Sequence, residues 1–228
     1  MLRADLMSLI EADPALATLW GEVEALSDDS AHDLGHIVRV ALWTIRLAQD
    51  EVPARLCVVA ALLHDFVNVP KDSPLRSQAS ALSAQHARER LPALGFGPDE
   101  IEPIADAILN HSFSRGATPQ TRLGRALQDA DRLEALGAVG MMRTAAIGGK
   151  MGAAFAHLGD PWALERGLDD KAYSIDHCFT KLFKLPETMH HEAARAEARR
   201  RARFLSGFLV QFGEELGDPP PALPYGEG

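Results

Sequence analysis

The chain has 228 residues and a formal net charge of -9 at pH 7, with 46% hydrophobic and 24% charged residues. This composition is typical of a globular protein that can bury a core, and it excludes an intrinsically disordered chain. The acidic balance excludes broad binding to nucleic acid, which needs many Lys and Arg side chains. A small phosphorylated substrate needs only a few local cations.

Two sequence features bear on the compartment of the protein. The apolar run at residues 56–63 is too short to cross a bilayer, and Arg3 and Asp5 interrupt the segment where a signal peptide would need apolar residues. We therefore expect a cytoplasmic protein without a membrane partner. Cys57 and Cys178 lack Cys-x-x-Cys spacing, so we expect reduced thiols that act as small hydrophobic side chains.

Helical spacing of Ala, Leu, Arg and Glu, without alternating β-branched runs, predicts an all-α fold with no significant sheet. One helix is predicted to begin at Asp29 or Ser30 and to run to about Gln49. The next begins at Pro53, and its eight consecutive apolar residues indicate burial on all sides before it ends at His64 and Asp65. Further helices are predicted over residues 75–94, 98–110, 119–136, 138–156, 175–185 and 187–215.

These helices are expected to form one compact multi-helix domain over residues 1–216. No internal repeat with a period of 20 to 50 residues is visible in the chain. Residues 217–228, GDPPPALPYGEG, are rich in Pro and Gly and predict a flexible tail. The sequence leaves the oligomeric state open, with a homodimer as one option.

The buried helix ends in two polar residues, His64 and Asp65, whose removal from water is costly. A divalent cation would offset this cost, and a helix cap that meets solvent is the alternative. His36 and Asp131 could complete the set, although alone each fits equally well as a structural histidine or a surface ion pair. Two imidazoles and two carboxylates from three helices favour an open site for Mn, Fe, Co or Ni over a closed structural zinc site.

The order of His36, His64, Asp65 and Asp131 resembles the HD-domain superfamily of metal-dependent phosphohydrolases. The sequence segments around these residues resemble those of one bacterial and fungal subgroup of stand-alone HD hydrolases, and the resemblance spans roughly residues 20–215. These segments are HDLGHIVRV, ALLHDFVNVPK, LRSQASALSAQHARERL, ILNHSFSRG, LQDADRLEALGAVGMMR and DHCFTKLFKL. The resemblance implies that the four residues bind one divalent metal ion, with Mn favoured and Mg, Fe, Co or Ni open.

Other residues are candidates for contact with a phosphorylated substrate. Lys71 and Arg76 follow the His-Asp pair closely and are predicted to bind phosphate, with two solvated cations as the alternative. Lys181 is a further phosphate candidate, or the edge of an amphipathic helix. His111 is predicted to hydrogen-bond the scissile phosphate or to protonate the leaving oxygen, with a helix C-cap as the alternative. Asp65 is the second residue expected to assist catalysis.

The resemblance implies hydrolysis of a phosphate ester or anhydride in a small substrate. The most similar members suggest a nucleoside triphosphate or deoxynucleoside triphosphate, cleaved to the monophosphate and pyrophosphate. The alternatives are a phosphomonoesterase acting on a nucleotide or another small phosphate, a metal- and nucleotide-binding sensor without turnover, and a structural helical scaffold. Release of pyrophosphate distinguishes the first reaction from that of a phosphomonoesterase.

Overall fold

The computed structural model describes residues 1–26, 34–67, 78–112 and 115–226. Its α-helices are α1 Arg3–Ala12, α2 Pro14–Leu26, α3 Leu34–Ala48, α4 Ala54–Leu63, α5 Ala79–Arg90, α6 Pro98–Asn110, α7 Arg122–Leu133, α8 Gly137–Met151, α9 Asp176–Thr180 and α10 Glu192–Leu216. Turns of 3-10 helix cover Gln49–Glu51, Leu91–Leu94 and Leu182–Thr188. Among the described residues, the extended pairing is confined to one isolated bridge between Ala154 and Tyr173. The predicted all-α fold is confirmed.

The chain divides into two compact units, Met1–Asp131 and Arg132–Gly228, and the division falls within α7. The expectation of one domain over residues 1–216 stays a prediction. Within the described ranges, no helix has the length and apolar character needed to span a bilayer.

Helix α4 lies at the centre of the first unit, where α2, α3, α5 and α6 pack around it. Every residue from Cys57 to Leu63 is at most 2% exposed, as the apolar run predicts. Full burial of one large aliphatic side chain contributes about 1.5 to 3 kcal/mol, so Leu62 and Leu63 alone fix the end of α4 firmly in the core. The residues that follow α4 therefore start from a rigid position.

Both cysteines are buried free thiols. Burial raises the pKa of Cys57 and of Cys178 to about 12. The two thiols are therefore protonated at neutral pH and pack as small hydrophobic groups, in agreement with the expectation from their spacing.

Several helix ends differ from the predicted ones. Helix α6 spans the predicted residues 98–110, whereas α8 ends at Met151 because Gly152 takes a left-handed conformation with φ +74. The helix predicted over 175–185 changes to a 3-10 turn after Thr180. The cap predicted at residues 29 and 30 lies outside the described residues.

Helices α1 and α2 were not predicted, although the sequence holds a start signal for α2. The Asp13 carboxylate accepts hydrogen bonds from the backbone N–H groups of Ala15 and Leu16, at 2.9 Å and 3.3 Å. Pro14 occupies the first position of α2, where a missing N–H costs nothing. The Asp-Pro pair is thus a helix start, and Leu16 and Leu19 of α2 are fully buried in the first unit.

In the second unit, an ion pair fixes the long segment between α8 and α9. The Asp176 carboxylate, 1% exposed, accepts two hydrogen bonds from the Arg166 guanidinium, at 2.6 Å and 2.8 Å. It also accepts one from the backbone N–H of Asp169 at 2.7 Å. The Arg166 guanidinium lies 4.5 Å from the centroid of the Tyr173 ring. A segment with little regular structure is therefore held by one buried charge.

Residues of the predicted flexible tail contact the rest of the second unit, and the flexibility of the tail stays a prediction. The indole N–H of Trp162 donates a hydrogen bond to the carbonyl oxygen of Asp218 at 2.8 Å. Gly213 of α10 allows the close approach of the tail, since a Cβ there would lie 2.7 Å from Pro220 Cδ. The composition of the tail could not predict these contacts because they depend on residues distant in sequence.

We expect Arg166→Met to lower the free energy of unfolding by about 3 kcal/mol, because it leaves the buried Asp176 carboxylate without its counter-charge. Urea unfolding followed by circular dichroism measures the change. The matched control is Arg199→Met, which breaks the exposed pair with Glu187 and should leave the unfolding midpoint nearly unchanged. Equal effects of the two substitutions would contradict the role of the buried pair.

Candidate metal centre

Three helices of the first unit bring four candidate metal ligands together. His36 is the third residue of α3, His64 is the C-cap of α4 with Asp65 directly after it, and Asp131 lies two residues before the end of α7. Helix α3 packs directly on α4, so the positions of the two histidines follow from the core. The structure therefore brings together the four residues that the sequence singles out.

The ligand atoms of these residues face one another. The Nε2 atoms of His36 and His64 are 3.3 Å apart, and Asp131 Oδ1 lies 3.7 Å from the first and 4.0 Å from the second. Asp65 Oδ2 lies 3.7 Å from His64 Nε2. Both histidines are 1% exposed, whereas Asp65 keeps 34% and Asp131 25% of its side-chain surface exposed. The nitrogens form a buried floor, and the carboxylates form the side that is open to solvent.

A backbone hydrogen bond fixes the tautomer of His64. Its Nδ1 lies 2.7 Å from the carbonyl oxygen of Ala61, one turn earlier in α4. A carbonyl oxygen can only accept, so Nδ1 carries the proton and the lone pair of the neutral ring lies on Nε2. This arrangement is typical of metal-binding histidines, in which the second ring nitrogen donates to a carbonyl group.

The donor set fits one divalent ion. Two ligand nitrogens at about 2.1 Å from a shared ion are separated by roughly 3.0 to 3.4 Å, and the two Nε2 atoms are 3.3 Å apart. One ligand atom from each of His36, His64 and Asp65 lies within 4.8 Å of the others. A mixed set of imidazole nitrogens and carboxylate oxygens suits Mn, Fe or Co, and no thiolate takes part.

His111 joins the cluster from the C-cap of α6. Its Nδ1 lies 2.6 Å from the carbonyl oxygen of Ile108, so it repeats the local geometry of His64. Its Nε2 lies 3.4 Å from Asp65 Oδ1, and its ring meets the His64 ring edge to face at 5.1 Å between centroids. Asp65 therefore directs one oxygen towards the paired histidines and the other towards His111. The structure places His111 at the C-cap of α6 and in contact with the cluster, and its catalytic role stays a prediction.

Their surroundings shift the pKa values of His64 and His111 in opposite directions. Burial lowers the pKa of His64 to about 4, although the neighbouring Asp65 carboxylate opposes the shift. Burial alone would also lower the pKa of His111, but the hydrogen bond and charge of Asp65 raise it above its ordinary value. For Asp131, burial would raise the pKa, and the histidines, His64 foremost, lower it. At neutral pH the cluster therefore contains a neutral imidazole and an ionised Asp131 carboxylate.

Gln128 connects the helix of Asp131 to the segment that carries His111. This side chain is fully buried and lies one turn before Asp131 on α7. Its amide nitrogen donates to the carbonyl oxygens of Asn110 and Ala117, at 2.8 Å and 3.0 Å. Gln128 was not predicted from the sequence. The one indication there is a polar residue, buried in the structure, within the segment LQDAD.

A second feature that the sequence did not predict lies directly after the His-Asp pair. The Phe66 ring stacks on the His86 ring, with centroids 4.0 Å apart and planes 8° from parallel. The backbone N–H of Val67 donates to Ser83 Oγ at 3.1 Å. Phe66 and Val67 are therefore attached to α5, which carries both His86 and Ser83.

Comparisons with known proteins show the family of the chain. The family model described as HD domain matches residues 33–136. The protein YpgQ of Bacillus subtilis (strain 168) is 31% identical over 203 residues, which cover 86% of this chain and 90% of YpgQ. The chain belongs to the HD domain family. All four candidate ligands lie within the matched HD domain residues.

Solved structures of similar proteins extend the likeness to most of the chain. The crystal structure of Bacillus subtilis YpgQ in complex with ADP has a TM-score of 0.68 and 26% identity, and the match covers 87% of this chain and 96% of that one. An HD-superfamily hydrolase from Bacillus thuringiensis has a TM-score of 0.66 and 28% identity, with 92% and 98% covered. The HD domain and the residues that follow it thus share one fold with these relatives.

The structure describes one of the three predicted phosphate-binding cations. Lys71 and Arg76 lie outside the described residues. Lys181 is described and part-buried, and it follows α9 in the second unit. The role of all three in binding phosphate stays a prediction.

We expect His64→Ala to weaken Mn binding by more than about 100-fold, because the loss of a direct ligand exceeds the 10- to 100-fold cost of losing an outer partner. Metal content after dialysis, measured by inductively coupled plasma mass spectrometry, tests this. The control is His157→Asn, which retains a hydrogen-bond acceptor in the second unit. Retention of one equivalent of Mn by the His64 variant would show that the ligand set is wrong.

Proposed function

We propose that this HD-family protein is a divalent-metal-dependent phosphohydrolase that acts on a nucleotide. The preferred reaction is cleavage of a nucleoside triphosphate or deoxynucleoside triphosphate to the monophosphate and pyrophosphate. The convergence of His36, His64, Asp65 and Asp131 into one open donor set is the observation that carries the proposal. The ADP in the crystal structure of the relative YpgQ supports a nucleotide as the ligand.

His36, His64, Asp65 and Asp131 would hold the metal ion, and Mn is the preferred ion for this mixed nitrogen and oxygen set. When bound, such an ion lowers the pKa of a coordinated water and offsets charge on a phosphoryl oxygen. The two carboxylates lie on the solvent side of the cluster, where a substrate can approach. An open approach is needed for hydrolysis and has no use in a purely structural metal site.

His111 has a separate role in the proposal. Its Nδ1 donates to the carbonyl of Ile108, and its Nε2 faces Asp65 Oδ1 at 3.4 Å. Both ring nitrogens therefore face acceptors, and the ring is poised to donate a proton from Nε2. In the reaction, we assign this proton to the leaving oxygen of the substrate, while Asp65 orients the ring.

The remaining phosphate charge requires further cations. Lys71 and Arg76 come soon after Asp65 in sequence and are the first candidates for this role, with Lys181 as a third. A fully ionised triphosphate carries more charge than one divalent ion neutralises. The proposal therefore needs at least one of these side chains at the phosphates.

The reaction is tested with Mn-loaded protein and a panel of nucleoside and deoxynucleoside triphosphates, with the products identified by ion chromatography. We expect monophosphate and pyrophosphate in equal amounts. His64→Ala and Asp131→Ala should each lower kcat/KM by about 1,000-fold or more, since the ion contributes several kcal/mol to the transition state. Release of orthophosphate alone would identify a phosphomonoesterase, and the absence of any product would support a nucleotide sensor.

His111→Asn separates proton donation from metal binding. We expect kcat to fall by about 100- to 10,000-fold, the usual contribution of a general acid, with one equivalent of Mn retained. Metal analysis and steady-state kinetics on the same preparation measure the two properties. Loss of the metal together with activity would make His111 part of the ligand set and remove its assignment as the proton donor.

A further inference from the structure

A cavity that is partly open to solvent lies on the outer face of α3, lined by residues that the proposed hydrolysis does not use. It has a volume of about 200 Å³ between this face and the start of α1. The described residues that line it are Met1, Leu2, Arg3, Arg39, Leu42, Trp43 and Arg46. The four residues from α3 recur at helical spacing, so they form one continuous face of the helix.

The walls of the cavity are held in place by the core. Leu6 and Ile10 of α1 are at most 2% exposed and attach this helix to the first unit, where it contacts α3. The backbone N–H of Leu2 donates to the Asp5 carboxylate at 2.7 Å, which fixes the beginning of α1. The two helices that border the cavity are therefore fixed by packing, while Met1 and Leu2 at its rim are exposed.

The charge of the lining is opposite to that of the protein. Among the described residues that line the cavity, three of seven are arginines and none is acidic, although the chain carries 32 acidic against 23 basic residues. The Arg46 guanidinium lies over the Trp43 ring at 4.5 Å from its centroid, so its position is set by an aromatic neighbour. A guanidinium group offers paired N–H donors that match the oxygens of a phosphate.

The remaining lining is apolar and contains one flat ring. Leu42 and Trp43 lie between Arg39 and Arg46 on α3, beside Met1 and Leu2. An aromatic side chain of this kind stacks on, or packs against the edge of, a planar ligand ring. The volume is below the roughly 300 to 1,000 Å³ of pockets for drug-sized ligands, so a phosphate with one small ring is the matching size.

From this combination we infer that the cavity is a binding site for a small phosphate monoester with a single planar ring, held by Arg3 and Arg46 at its phosphate and by Trp43 at its ring. Arg39 completes the basic wall. The site shares no residue with the His and Asp cluster, and its ligand binding does not depend on the proposed hydrolysis.

Phenyl phosphate is the probe, titrated by isothermal calorimetry into the full chain in the presence of a metal chelator, so that hydrolysis cannot occur. Trp43 adds an optical signal, taken as the difference in fluorescence between the wild-type protein and Trp43→Phe, because the chain has three tryptophans. We expect saturable binding with a change in this difference signal. Inorganic phosphate alone should bind about tenfold more weakly, because it lacks the ring.

Arg46→Gln should weaken phenyl phosphate binding by about tenfold, whereas Arg203→Gln, a matched change at an exposed arginine of α10, should leave it unchanged. Arg46 is exposed on α3 and glutamine is a good helix former, so the variant retains the fold. His64→Ala should retain full binding. The inference is overturned if no saturable binding occurs at millimolar probe, if both arginine variants weaken it equally, or if His64→Ala abolishes it.

Discussion

The hydrogen bond from His64 Nδ1 to the carbonyl oxygen of Ala61 is the interaction on which the candidate metal centre depends. It forms because α4 is buried on all sides, so its final turn cannot fray and its last carbonyls have a fixed direction. The bond decides which ring nitrogen keeps its lone pair, and it directs Nε2 towards His36. A helix with a polar face would end nearer to solvent and would hold this ring less firmly. The apolar run in the sequence is thus part of the site as well as of the core.

The same local bond occurs at the end of α6, yet His111 differs from His64 in its chemistry. His64 has a second imidazole near its Nε2, and burial lowers its pKa to about 4. His111 has a carboxylate oxygen of Asp65 near its Nε2, and its pKa is raised. Two histidines with one backbone geometry therefore have opposite pKa shifts, which fits the different tasks proposed for them, metal binding and proton donation. The environment of the Nε2 atom separates the roles, as in other sites where neighbouring groups have divergent pKa values.

The sequence predicted α4 from its apolar run, and the cost of removing His64 and Asp65 from water indicated either a bound cation or a helix cap that meets solvent. All four candidate ligands, His36 and Asp131 included, needed the resemblance to known HD proteins, since each alone also fits a structural role. The hydrogen bond from Gln128 to the segment of His111 depends on the packing of α7 near the end of α6. No local sequence pattern predicts that contact. The same holds for the cavity beside α3, whose wall comes from α1. Features that follow from a local sequence pattern, such as the buried helix α4, were thus predictable. Contacts between helices were not.

The proposed ligand set also implies that metal binding and folding of the first unit are coupled. Its donors lie on α3, after α4 and on α7, and they meet only when these helices are packed. The unfolded chain has no such arrangement, so an ion that binds the folded form stabilises it in proportion to the logarithm of its concentration above the dissociation constant. The Asp131 carboxylate is ionised at neutral pH, and its burial disfavours this charge, although the neighbouring histidines lower its pKa. A bound cation would further offset the cost of burial, so the residues proposed to hold it would also strengthen the fold that positions them.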